Sequence, residues 1–201
     1  DKMAVFAVLM RLREICCDPR LVADNWDGGS AKLDACMELV TAAVEGGHRI
    51  LLFSQFTSML ELLAKRLDEA GVSHFTLQGS TPKPVRAELV RRFNSGEADV
   101  FLISLRAGGT GLNLTAADIV IHYDPWWNLA AQNQATDRAY RIGQRNPVQV
   151  YRLIAQDTIE EKIVELQQAK QSLADTVTGG ADGAILSMNP EQLLQLLGEE
   201  A

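Results

Sequence analysis

Arg49-Ile-Leu-Leu-Phe-Ser54 holds four consecutive apolar side chains between an arginine and a serine. A run that is apolar throughout, not at every second position, fits a strand buried on both faces. The chain beyond it repeats the unit. A helix is predicted over 57–70, with Leu60, Leu63 and Leu67 on one face and Gly71 after it. His74-Phe-Thr-Leu77 reads as a second strand, and Gly79-Ser-Thr-Pro82 turns the chain into a helix over 82–94. Asp99-Val-Phe-Leu-Ile-Ser104, Ile119-Val-Ile-His-Tyr123 and Val148-Gln-Val-Tyr-Arg-Leu-Ile154 supply three more strands. Strands alternating with helices predict an α/β fold of three layers, a mainly parallel sheet covered by helices on both faces. Upstream, residues 2–17 have helical spacing that Pro19 stops. Ser30 is the expected N-cap of a helix over 31–45, which Gly46-Gly47 closes. Downstream, 157–173 reads as an amphipathic helix with a Thr158/Glu161 capping box, 178–183 as a flexible stretch and 190–197 as a short leucine-rich helix.

In parallel sheets of this kind, ligands sit beyond the carboxyl ends of the strands. The polar groups there are Ser54-Gln55, Gln78-Gly79-Ser80-Thr81, Ser104-Leu-Arg106 and Asp124-Pro-Trp-Trp-Asn128. Charge is unevenly spread. Residues 1–79 hold 8 Lys/Arg against 11 Asp/Glu, residues 80–152 hold 9 against 6, and residues 153–201 hold 2 against 9. The net charge of −7 argues against a uniformly nucleic-acid-coated surface, whereas a basic middle segment points to a confined anion site. That segment contains Gln134-Ala-Thr-Asp-Arg-Ala-Tyr-Arg-Ile-Gly-Gln-Arg145, read as a short helix with Gly143 as its C-cap. Gln134, Arg138 and Arg141 then share one face. Two aligned guanidinium groups suit phosphate oxygens, while the plainer reading is a solvated surface helix. Ala107-Gly-Gly-Thr-Gly-Leu-Asn-Leu114, after the third predicted strand, offers backbone amides to a phosphate or is simply a tight connection. Of two adjacent tryptophans, Trp126 and Trp127, one is expected to face the ligand edge, where an indole suits nucleic acid.

Several chemistries are disfavoured. No Gly-Lys pair occurs, so there is no phosphate loop of the G-x-x-x-x-G-K-[ST] kind. The glycine loop lacks the last small residue of a dinucleotide fingerprint, with Leu114 in its place. Leu67-Asp-Glu-Ala70 mimics a metal-binding acidic motif but sits at a helix end. His122, inside an apolar strand, is expected to be a satisfied core histidine. Cys16, Cys17 and Cys36 lack the spacing of a metal site and are expected to be reduced thiols. No apolar run is long enough to span a bilayer, and no signal peptide is visible. Because Asp1 stands within a helical stretch, the chain is expected to be cut from something longer.

Six stretches in this order resemble the second motor lobe of Swi/Snf-type ATPases, in helicase superfamily two. They are Leu12-Arg-Glu-Ile-Cys-Cys-Asp-Pro19, Ile50-Leu-Leu-Phe-Ser-Gln55, Gly79-Ser-Thr81 with Arg86 and Phe93, Ser104 to Leu114, Asp124-Pro-Trp-Trp-Asn128, and Gln134 to Gln144. They cover about residues 10–165. Leu129 stands where the family usually has proline, and Tyr140 where it usually has histidine. The resemblance implies a RecA-like fold, with ATP bound between this lobe and an N-terminal RecA-like lobe. The first lobe would hold the phosphate loop and most of the magnesium ligands. Arg138 and Arg141 would then be catalytic arginine fingers, with Gln134, Gly109, Gly111 and Asn113 at the nucleotide. Ser54, Gln55, Gly79, Ser80, Thr81, Ser104, Arg106 and Trp127 would grip the backbone of double-stranded DNA. ATP and Mg²⁺ are the implied cofactors. The implied partners are the first lobe, duplex DNA and a DNA-bound protein complex, with no membrane. The implied location is the cytoplasm or nucleoid, or the nucleus in a eukaryote. The expected division is 1–30 as a leading helix and linker, 31–156 as the lobe, and 157–201 as a helical extension. Alone, this half should not hydrolyse ATP. Rival readings are a non-catalytic protein- or nucleic-acid-docking module and an enzyme using a nucleotide cofactor on the glycine loop.

Overall fold

The computed structural model describes residues 2–108, 111–139 and 147–174. Five strands, β1 (Ile50–Ser54), β2 (His74–Leu77), β3 (Val100–Ser104), β4 (Ile119–His122) and β5 (Gln149–Arg152), form one sheet in the order β2-β3-β1-β4-β5. Every pairing is parallel, with Ile50 beside both Val100 and Ile119. Among the described residues seven helices accompany the strands: α1 (Lys2–Cys17), α2 (Ala31–Glu45), α3 (Thr57–Glu69), α4 (Lys83–Asn94), α5 (Leu105–Gly108), α6 (Leu129–Thr136) and α7 (Ile159–Ala174). A single 3-10 turn over Pro19–Leu21 follows α1.

The side-chain alternation of β1 divides the core in two. Ile50 and Leu52 join Val40 of α2 and Leu60, Leu63 and Leu67 of α3 on one face. Leu51 and Phe53 join Phe101, Ile103 and Val120, with Phe93 of α4 and Ala135 of α6, on the other. Full burial of a side chain such as Leu60 stabilises the fold by about 1.5–3 kcal/mol, so β1 and its neighbours supply most of the cohesion. A smaller cluster of Leu9, Ile159 and Ile163, flanked by Trp127, packs α1 against α7.

Local chemistry sets the boundaries. The Ser30 hydroxyl accepts from the Leu33 N–H at 3.3 Å, starting α2 where the sequence predicts it. At α7 the Thr158 hydroxyl accepts from the Glu160 N–H at 3.1 Å, while the Glu161 carboxylate reaches back to the Asp157 N–H at 2.8 Å. The capping box is therefore displaced by one residue, and Asp157 takes a positive φ of 55°. The last strand is shorter than expected, and all four of its residues are exposed. Among the described residues it pairs only with β4, so its apolar letters mark an edge and not a covered interior. The helix expected over 134–145 instead begins at Leu129. The Asn128 side chain caps it by accepting from the Ala131 N–H at 3.0 Å, and it ends at Thr136. Gly143 and the predicted elements over 178–183 and 190–197 lie outside the described residues.

Candidate functional site

The carboxyl ends of β1, β3 and β4 lie side by side, so Ser54 is registered with Ser104 and the segment after His122 runs next to them. At their centre is Asp124, 1% exposed. Its carboxylate accepts from the Ser54 hydroxyl at 2.6 Å and from the Gln55 N–H at 3.3 Å. Arg13 of α1, also 1% exposed, stands 3.8 Å from it. The Arg13 guanidinium donates to the Gln55 side-chain oxygen and, at 2.8 Å, to the Pro125 carbonyl. It lies 5.5 Å from the Phe56 ring centre and 5.1 Å from that of Trp127. Burial pushes the Asp124 carboxyl up and the Arg13 guanidinium down, and their mutual attraction opposes both shifts. A second buried cation is close by. Lys32 donates to the Tyr123 carbonyl at 3.1 Å, to the Leu153 carbonyl at 3.2 Å, and to Glu160 of α7.

The predicted backbone-gripping residues divide between surface and interior. Gly79, Ser80 and Arg106 are exposed, and Gln55 and Thr81 are partly so. The Arg86 guanidinium ties the loop at 78–81 together from beneath, donating to the carbonyls of Thr81 and Gly79 at 2.7 Å each. Ser54 and Ser104 are buried. The first donates its hydroxyl to Asp124, and the second accepts from the Ala107 N–H at 3.3 Å. Both are therefore corrected from surface contacts to internal braces. Trp127 is partly buried. Its ring packs with the α1–α7 cluster, and its indole N–H is buried without a partner. Its neighbour Trp126 packs against the sheet and accepts at its carbonyl from Gln167 of α7.

The nucleotide-side residues lie in the segment after α5 and in α6. Gly111 is exposed at a φ of 52°, a left-handed conformation that favours glycine, and Asn113 and Gln134 are exposed. The Leu114 N–H donates to the Arg138 carbonyl at 3.2 Å, which joins the glycine loop to the arginine segment. Arg138 lies in a turn beyond α6 and is only 4% exposed. It does not project from a helix face as expected, because the helix stops two residues earlier. Gly109 and Arg141 lie outside the described residues. His122 links the sheet to this segment: its Nε2 is 2.8 Å from the Thr136 hydroxyl at the end of α6. Burial lowers its pKa to about 4, with Arg152 adding to the effect, so the expected core histidine is neutral at pH 7. Tyr123, beside it, donates its hydroxyl to the Cys17 carbonyl at 2.9 Å.

Arg13 and Lys32 were not among the predicted site residues. Arg13 did carry a signal, since it falls on the apolar face of α1 beside Leu9, Leu12 and Cys16. A charge at an apolar-spaced helical position requires a buried partner.

A parallel sheet between two helical layers, with a glycine loop after its third strand and an arginine-bearing turn after its fourth, defines a RecA-like lobe. Comparison with known proteins narrows this class. The family described as "Helicase conserved C-terminal domain" matches residues 31–143. A protein of Mycoplasma pneumoniae named "Uncharacterized ATP-dependent helicase" is 39% identical over 196 residues, covering 96% of this chain and 19% of that protein. The mouse "SWI/SNF-related matrix-associated actin-dependent regulator of chromatin subfamily A member 1" is 40% identical over 190 residues, covering 88% of this chain and 18% of that protein. The Sulfolobus solfataricus SWI2/SNF2 ATPase C-terminal domain superposes with a TM-score of 0.76 at 29% identity, covering 97% of this chain and 81% of that one. The C-terminal part of the Fun30 ATPase domain gives 0.70 at 29% identity, covering 93% of this chain and 60% of that one. The chain belongs to the helicase C-terminal domain family, in its Swi/Snf branch. It spans about a fifth of the length of these curated relatives.

Proposed function

We propose that this chain is the second motor lobe of an ATP-driven double-stranded-DNA translocase that remodels protein–DNA complexes. The observation that carries the reading is the bond between the Leu114 N–H and the Arg138 carbonyl, which joins the glycine loop to the arginine turn. Gly79, Ser80 and Arg106 stand exposed and Gln55 partly exposed after the carboxyl ends of β2, β3 and β1. ATP would lie against Gly109, Gly111, Asn113 and Gln134, between this lobe and the N-terminal one. Arg141 and Arg138 would neutralise charge that builds on the γ-phosphate, an effect worth about 10³–10⁵ in rate in related phosphoryl transfers. Arg138 can serve only if closure of the lobes opens its turn. Gln55, Gly79, Ser80, Thr81 and Arg106 would hold one DNA strand by its phosphates, which gives binding that ignores sequence and weakens with salt.

Among the described residues, no three His, Cys, Asp or Glu side chains are grouped to hold a metal ion. Mg²⁺ would be held mainly by the first lobe. The isolated chain would be inactive, because catalysis would need the phosphate loop of the other half.

The test joins this chain to its first lobe and measures DNA-stimulated ATP hydrolysis with and without Arg141→Ala. The expected result is a fall of at least a hundredfold with the urea midpoint unchanged. An unaltered rate would remove the arginine-finger role.

A further inference from the structure

The geometry points to Arg13 as a positioning residue of the DNA grip, one that turns the Gln55 side-chain amide so that its NH₂ faces the DNA. The inference rests on the proposed DNA-backbone role of this edge and assigns one part of its mechanism. An amide carries an acceptor at one end and a donor at the other, and a phosphate can use only the donor. Gln55 stands at the end of β1, partly exposed, and its side-chain oxygen accepts from Arg13. With that oxygen engaged inward, the NH₂ group is left on the outward side.

Arg13 is held for this role. Its Nη2 alone donates to both the Gln55 oxygen and the Pro125 carbonyl, with Asp124 3.8 Å away. Phe56 and Trp127 flank the guanidinium at 5.5 and 5.1 Å. Asp124 fixes the other end of the same residue by accepting from the Gln55 N–H. Backbone and side chain of Gln55 are thus both oriented by one buried ion pair. Arg13 comes from α1, which lies outside the matched stretch 31–143. In this chain the grip therefore depends on a helix that precedes residues 31–143, and α7 steadies that helix through Leu9, Ile159 and Ile163.

The full two-lobed protein and a fluorescein-labelled duplex of arbitrary sequence provide the test. Gln55→Ala should raise the DNA concentration for half-maximal ATPase about tenfold, the loss expected for one hydrogen bond to a charged group. The rate at saturating DNA should stay within about twofold. Arg13→Met alone would strand the Asp124 charge, so it is paired with Asp124→Asn to remove both buried charges together. The pair should reproduce the tenfold rise, and adding Gln55→Ala to it should change nothing further. Arg13→Lys keeps a cation for Asp124 on a side chain too short to reach where Nη2 meets Gln55, and it should show a rise of several-fold in a folded protein.

Because the Gln55 donor is neutral, all of these variants should keep the salt slope of DNA binding. Arg106→Ala should lower that slope by about 0.9. If Arg106→Ala weakens binding while the Arg13/Asp124 pair or Arg13→Lys binds like wild type, the Arg13 role is refuted alone. It is refuted in the same way if the pair weakens binding but Gln55→Ala does not. If neither Arg106→Ala nor Gln55→Ala alters binding, the DNA-backbone reading itself falls.

Discussion

Acidification should weaken this fold through His122, in an amount set by its surroundings. The imidazole is 1% exposed at the end of β4 and stacks on Phe53 at 5.5 Å. The Thr136 hydroxyl donates to the Gln132 carbonyl at 3.3 Å, so it accepts from His122, which assigns the Nε2–H tautomer. The other nitrogen, Nδ1, is buried without a partner, and a proton added there would find no acceptor. The pKa is accordingly lowered to about 4 from an unfolded value of 6.5. Between those limits the unfolded chain binds more protons than the folded one, so stability rises with pH. The contribution is complete above pH 6.5 and is lost progressively as pH falls towards 4. From pH 7 to pH 5 the loss is about 2 kcal/mol, and below pH 4 it levels off near ~3 kcal/mol. Asp124 and Glu160, whose buried carboxyls are pushed up, oppose this trend, so a raw pH profile is not decisive. The clean measurement compares wild type with His122→Gln, whose amide can still donate to Thr136 but does not titrate. Urea unfolding at pH 7, 6 and 5 should show the difference between the two proteins shrinking or reversing by about 2 kcal/mol as pH falls. Parallel pH profiles would refute the reasoning.

Two other buried groups give outcomes of their own. Lys32→Met should cost about 3–5 kcal/mol in a denaturant titration, because it leaves the Glu160 carboxylate buried and unpaired. Adding Glu160→Gln should recover most of that loss, and if it recovers none, the pair is not what holds α7 to the sheet. Burial raises the thiol pKa at all three cysteines, with Cys36 pushed to about 12. Only the thiolate reacts with a disulfide reagent. At pH 8, mass spectrometry should therefore find the half-buried Cys16 modified first, with Cys17 and Cys36 labelled only on unfolding.

Ile50 to Phe53 were legible as a buried strand because burial on both faces erases the polar alternation that half-exposed strands keep. The same rule misled at Val148 to Ile154. Apolar letters cannot reveal that a strand has one neighbour instead of two, and β5 is exposed along its whole length. The arginine stretch was misjudged for a local reason. Asn128 starts α6 six residues before Gln134, so the helix has run its course by Thr136, and Arg138 falls in the turn. Ser54 and Trp127 show a deeper limit. A polar or amphipathic side chain at the end of a strand can turn outward to a ligand or inward to a partner. The choice belongs to residues far away in the chain: Asp124, 70 positions on, takes the Ser54 hydroxyl, and the α1–α7 cluster takes the Trp127 ring. Arg13 and Lys32 make the same point from the other side. Each is one charge on an otherwise ordinary helix, and each acquires its meaning only where α1 and α2 cross the ends of β1 and β4. The edge of this lobe is therefore built by two kinds of residue. Short local motifs, such as the glycine loop and the loop at 78–81, form the outer surface. Long-range ion pairs, whose partners no single stretch of sequence names, fix the direction in which that surface points.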